Sequence, residues 1–171
     1  METLLLLIPL GIFLIVYLMR GSRGFSPPEV SPISKFDLEA FEPAPSLWVN
    51  ASEAALFGIL SDHMPPGFHV HGKVRVEDII RVKRGLPEKR RWAARGRVKS
   101  RHVDYLITNR SGVPVMAIEL DGRAHNPKNP SEADKVKTAL FRAAGIPLQR
   151  ILVGENFGHK AATIRTELSR S

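Results

Sequence analysis

Read for the spacing of apolar and polar positions, the chain separates into three stretches. Residues 3–19, TLLLLIPLGIFLIVYLM, carry no charge. That run is short but sufficient for a membrane-spanning helix, and Pro9 and Gly11 are tolerated in such helices. Glu2 is the only charge ahead of it, and Tyr17-Leu18-Met19-Arg20-Gly21 is a poor cleavage site for a signal peptide. Arg20, Arg23 and Lys35 follow it, so the positive-inside rule predicts a cytoplasmic C-terminal part, with the N-terminus on the outer side of the membrane. Residues 21–46 hold Pro27, Pro28, Pro32, Pro43 and Pro45 among Gly and Ser and read as a semi-extended linker. Residues 47–171 are left for a folded domain.

Within that domain the periods alternate. Ala55, Leu56, Ile59 and Leu60 recur at helical spacing and predict a helix over about 51–62, with Asn50 as cap and Glu53 in a capping-box position. Pro65-Pro66-Gly67 ends it. Phe68 to about Ile79 reads as a strand with Val70, Val74 and Val76 on one face and His69, His71, Lys73, Arg75 and Glu77 on the other. Further strands are expected over about 102–108, 113–120 and 147–153, the first two joined by an Asn109–Gly112 turn. A helix over about 131–144 has Ser131 as N-cap and Gly145 as stop, and a last helix covers about 160–169. Three strands on short turns form an antiparallel meander, and the crossover helix returns a fourth strand in parallel. The fold class is α/β with a mixed sheet, in the order αβββαβ plus a closing helix.

Composition narrows the chemistry. The 171 residues are 43% hydrophobic and 25% charged, enough for a packed core. There is no cysteine, which excludes disulfides, thiolate metal sites and cysteine nucleophiles. Lys and Arg number 25 against 17 Asp and Glu, a net of +8, and much of the excess lies in RVKRGLPEKRRWAARGRVKSRH. This segment reads as an exposed basic loop. Arg90, Arg91, Arg95, Arg97 and Lys99 would hold phosphates while Trp92 stacks on a base, which makes nucleic acid the expected partner. A solvated, mobile insertion is the plain alternative, and docking on anionic lipid beside the anchor is another.

The acidic counterpart is AIELDGRAH, residues 117–125. Strand alternation puts Glu119 and Asp121 on one face. Pairing through the Asn109–Gly112 turn sets Asp104 opposite about residue 117 and diagonal to Glu119. Long side chains at that spacing reach one ion. Two carboxylates so placed suit Mg²⁺ or Mn²⁺, with Asp104 and Glu119 as the metal ligands. Each residue also has a structural reading: Asp104 as a surface residue, Glu119 as a strand end, Asp121-Gly122 as a turn pair, Glu53 as a cap, His125 as a loop support. Asp134 and Lys137 could be a solvated helix pair, and His69, His71 and His159 surface residues.

The succession KVRVEDII, SRHVDYLI, VMAIELDGRAH and EADKVKTALFRAAGIPLQRI resembles the bacterial domain of unknown function 2726, a family of the PD-(D/E)XK, restriction-endonuclease-like nuclease superfamily. A similar ELDG…H pattern recurs in relatives of the very-short-patch-repair endonuclease. The resemblance spans about residues 46–153. It implies a restriction-endonuclease-like core, Asp104 and Glu119 as metal ligands, and Glu53 as an assisting first-helix glutamate. The lysine of the superfamily's E-x-K element is replaced by Asp121. Lys137, Lys135, Lys99 or His125 could supply the missing cation or general acid and base, with Asp134 as an accessory group. The expected protein is a membrane-anchored, Mg²⁺-dependent nuclease. The alternative is a tethered module that binds nucleic acid without cutting it.

Overall fold

The computed structural model describes residues 38–122 and 130–170. The expected membrane helix over 3–19, most of the linker, and His125 lie outside the described residues. Among the described residues no helix is long and apolar enough to cross a membrane. The chain divides into two units, residues 1–43 and 44–171. In the first, the described part is a 3-10 turn, Leu38–Ala40, and the residues that follow it. All that follows concerns the second.

Its elements are α1 (Ala51–His63), β1 (Phe68–Arg75), α2 (Val76–Ile79), α3 (Glu88–Val98), β2 (His102–Asn109), β3 (Pro114–Asp121), α4 (Glu132–Ala144), β4 (Leu148–Leu152) and α5 (Phe157–Leu168). The four strands lie in the order β1-β2-β3-β4, antiparallel except for the parallel β3–β4 pair. This is the meander and crossover that the pattern predicts.

Two apolar layers flank the sheet. Leu56 and Leu60 of α1 and Ala161, Ile164 and Leu168 of α5 pack with Tyr105, Ile107, Ile118 and Ile151 on one face. Val76 of α2, Val98 of α3 and Phe141 of α4 pack with Val103, Leu106 and Ala117 on the other. The sheet is therefore buried on both sides, which explains the near-continuous apolar runs in β2 and β3. Local signals fix the helix ends. Asn50 accepts the Glu53 amide at 3.0 Å, Ser131 and Asp134 form a complete capping box, and Gly145 stops α4 at φ +71°.

Three expectations are corrected. The basic segment is not a loop: residues 88–98 are helical. Glu, Lys, Arg and Ala are good helix formers, and α3 needs only Val98 as an apolar anchor. The β2–β3 register is also shifted, because Ile107 faces Met116 while Thr108 faces Pro114, so Val115 is an extra residue in the ladder. Leu106 then faces Ala117 and Tyr105 faces Ile118, so Asp104 is not opposite residue 117; it lies just past this pairing, where its carboxylate accepts the Leu120 amide.

Finally, β1 ends at Arg75 and does not keep one apolar face. Val70 packs with the first core, whereas Val74 and Val76 join the second. The change of side falls at Lys73, whose backbone is left-handed at φ +53°. Beside it, Gly72 lies against the Trp48 indole, which in turn lies tilted against Phe57 and Tyr105. A Cβ at position 72 would stand 2.5 Å from the ring.

Gly72→Ala should therefore destabilise the domain by about 1–3 kcal/mol, as overpacking does. Gly58→Ala, on an exposed turn of α1 with open space around it, should stabilise it by up to about 1 kcal/mol. Urea midpoints of the two variants against the parent chain check both signs.

Candidate metal and nucleic-acid site

Charged side chains from six elements meet at one end of the sheet. Glu119 is 8% exposed, because it lies on β3 among Ala117, Ile118 and Leu120. Lys137 reaches it from α4, with Nζ 2.7 Å from Oε1. Lys137 stands one turn before Phe141, the buried residue that seats α4 on the sheet. Burial pushes the Glu119 carboxyl up to about 7. The Lys137 ammonium opposes this, and the Asp104 carboxylate adds to it.

Asp104 is held at both oxygens. Oδ2 accepts the Leu120 amide at 2.9 Å, which ties it to the strand carrying Glu119. Oδ1 accepts from Lys73 Nζ at 3.1 Å. The same ammonium lies 2.7 Å from Glu53 Oε2. Glu53 is 8% exposed and also accepts the Val49 amide at 3.0 Å. It is thus both a cap for the start of α1 and a member of the site. Tyr105 donates its hydroxyl hydrogen to the Glu53 carbonyl at 2.8 Å, fixing the first turn of α1 on β2. Burial works against the Lys73 ammonium, but Glu53 and Asp104 outweigh it and shift its pKa upward.

The sequence pattern assigned Lys73 to a polar face away from the core. Its left-handed backbone turns it toward the carboxylates instead. That conformation costs a residue with a Cβ roughly 1–2 kcal/mol. Period-two alternation carries no signal for such a turn.

Asp121 is engaged by Arg150 of β4, which had no role in the sequence reading. Glu119 is paired in register with Arg150, and Arg150 Nη1 lies 3.0 Å from both Asp121 oxygens. Its Nη2 lies 3.1 Å from Asp134. The hydrogen bond from Ser131, and then Arg150, keep the Asp134 carboxyl below the usual range. Asp134 is thus a cap residue tied into the cluster, and it does not pair with Lys137. Lys135 pairs with Glu132 at 2.7 Å, away from Glu119.

The basic helix α3 shares the sheet face of α4. Lys89, Arg90, Arg91, Arg95 and Arg97 are exposed along it, followed by Lys99 just past its end. Trp92 is 62% exposed, with the Arg95 guanidinium 5.8 Å from its ring centre. Arg95 and Arg75 both pair with Glu77. Arg97 lines a groove with Lys135, Val136 and Ala139 of α4, so the basic surface continues from α3 onto α4.

Glu53, Asp104, Glu119, Asp121 and Asp134 face Lys73, Lys137 and Arg150. With all of them ionised, the cluster carries two surplus negative charges. Among the described residues no three His, Asp or Glu side chains form a ready-made metal cluster. The donor set nevertheless fits a hard divalent ion in kind, with only carboxylate oxygens and a charge deficit of two. A family profile described as a protein of unknown function, DUF2726, matches residues 47–170. The chain belongs to this family. The matched span of this DUF2726 domain starts at Leu47 and takes in every residue of the charged cluster and the basic helix. No curated protein and no solved structure matches it.

The raised Glu119 carboxyl makes the DUF2726 domain's stability depend on pH. A carboxyl whose folded pKa is raised contributes stability in full below its unfolded value, and that contribution is lost as pH rises through about 7. In thermal unfolding with EDTA, the parent chain should lose stability relative to Glu119→Gln between pH 4.5 and pH 7. Parallel pH profiles for the two chains would show that burial does not dominate at Glu119.

Proposed function

We propose that this protein is a membrane-tethered, Mg²⁺- or Mn²⁺-dependent nuclease of the PD-(D/E)XK superfamily that hydrolyses phosphodiester bonds in DNA or RNA. The observation that carries this reading is the gathering of Asp104, tied to β3 through the Leu120 amide, and Glu119 on neighbouring strands, beside two ammonium groups. Asp104 and Glu119 would hold the metal, with Glu53 as accessory donor. When bound, the ion supplies a more acidic water and charge stabilisation at the leaving oxygen.

The chain's own residues do the rest. Lys137 stands on Glu119 and takes the role of the E-x-K lysine that Asp121 displaces. Asp121 serves instead to clamp Arg150, which orders the start of α4 through Asp134. The arginines of α3 bind backbone phosphates, and Trp92 offers a surface for a base. The apolar run over residues 3–19 would hold the domain at the cytoplasmic face of the membrane.

A second reading keeps the nucleic-acid surface and drops the cleavage. It is favoured by one observation: the E-x-K position holds a carboxylate clamped by a guanidinium. Metal titration against a panel of single-stranded, double-stranded and structured substrates separates the two. Under the nuclease reading Asp104→Ala and Glu119→Ala lower cleavage by more than the roughly 10–100-fold typical of a metal's outer partners. Neutralising Arg90, Arg91, Arg95 and Arg97 should reduce the salt slope of binding by up to about four under either reading. Salt-sensitive binding without cleavage on any substrate leaves the binding module. An unchanged slope removes the basic helix from the interface.

A further inference from the structure

We infer that Lys73 is a resident counter-cation: its ammonium holds Glu53 and Asp104 in place until a divalent ion enters, and lysine and metal compete for the same oxygens. The inference rests on the metal-dependent reading above.

Three observations converge on it. The Lys73 ammonium bridges the two carboxylates at 2.7 Å and 3.1 Å, so it already fills the role of a shared cation. Asp104 Oδ1 is the oxygen it uses, while Oδ2 is taken by the Leu120 amide. A metal approaching Asp104 through Oδ1 therefore meets Lys73 first, and two cations a few ångströms apart repel strongly where water is scarce. The third observation is the backbone. Lys73 is left-handed in mid-strand, a conformation glycine adopts without strain. The neighbouring position 72 is a glycine because the Trp48 ring leaves no room for a Cβ. Position 73 keeps a lysine where glycine would relieve the backbone, which places the weight on the ammonium.

The side chain is suited to give way. It is partly exposed, and a four-carbon stem lets the ammonium swing toward solvent without moving the strand. Its withdrawal would leave Glu53 and Asp104 as an unpaired pair of carboxylates, which is the state that binds a divalent ion best. Lys73 is thus a positioning residue that sets how tightly the site takes its metal.

The test is Mn²⁺ titration of the full chain, followed by electron paramagnetic resonance. The variants are Lys73→Met, which keeps the stem, and Lys73→Gly, which also frees the backbone. Both should bind Mn²⁺ roughly tenfold or more tightly than the parent chain. Lys73→Arg, which keeps the charge, should stay near the parent. In thermal unfolding, Lys73→Met should lose stability in EDTA and regain it with Mn²⁺. Parent-like or weaker Mn²⁺ affinity in both neutral variants overturns the competition while leaving the metal reading intact. No Mn²⁺ bound by the parent or by any variant overturns the metal reading and this inference with it.

Discussion

Carboxylates that leave water must find cations, and that constraint organises the site end of this domain. Glu53 and Glu119 are nearly buried, and each is met by a lysine from a different element. Meeting that need explains features that otherwise look unrelated. It accounts for a left-handed lysine within β1 and for the orientation of α4, which brings Lys137 over β3. It accounts as well for an arginine in β4 that grips two aspartates. Each element touching this corner gives a charge, so the site and the packing of the helices on the sheet are one set of contacts.

The charge distribution is also divided. With its carboxylates ionised the corner is acidic by two charges, yet the chain as a whole is +8 and α3 beside it is strongly basic. Opposite charges this close attract, so the acidic corner and the basic ridge are compatible with each other on electrostatic grounds alone. The ridge is anchored by little apolar surface, Val98 being the buried residue of α3, so its sequence is set by solvent rather than by the core.

Much of this was legible in the residues. The period-two pattern of β3 marked Glu119 and Asp121 as sharing a face, and Asn50, Ser131 and Gly145 marked helix ends that the structure places within a residue or two. Asp104 stood out as the one acidic residue in an apolar strand. Three things were hidden for physical reasons. The extra residue at Val115 shifts the register by one beyond the offset already set at the turn, and a bulge has no periodic signature. Lys73 was misplaced because alternation assumes an unbroken extended backbone. The basic helix was read as a loop because its helical propensity carries no amphipathic stripe.

The Trp48 indole gives the domain a definite beginning. It packs on Gly72 and stands beside Phe57 and Tyr105, and the next residue donates its amide to Glu53. The last few residues before α1 are therefore a wall of the site, even though they look like the tail of a linker. Cutting the chain at the first helix would strip that wall and unfasten Glu53. A shortened protein that preserves this corner has to start ahead of Ser46, whose hydroxyl caps the Trp48 amide.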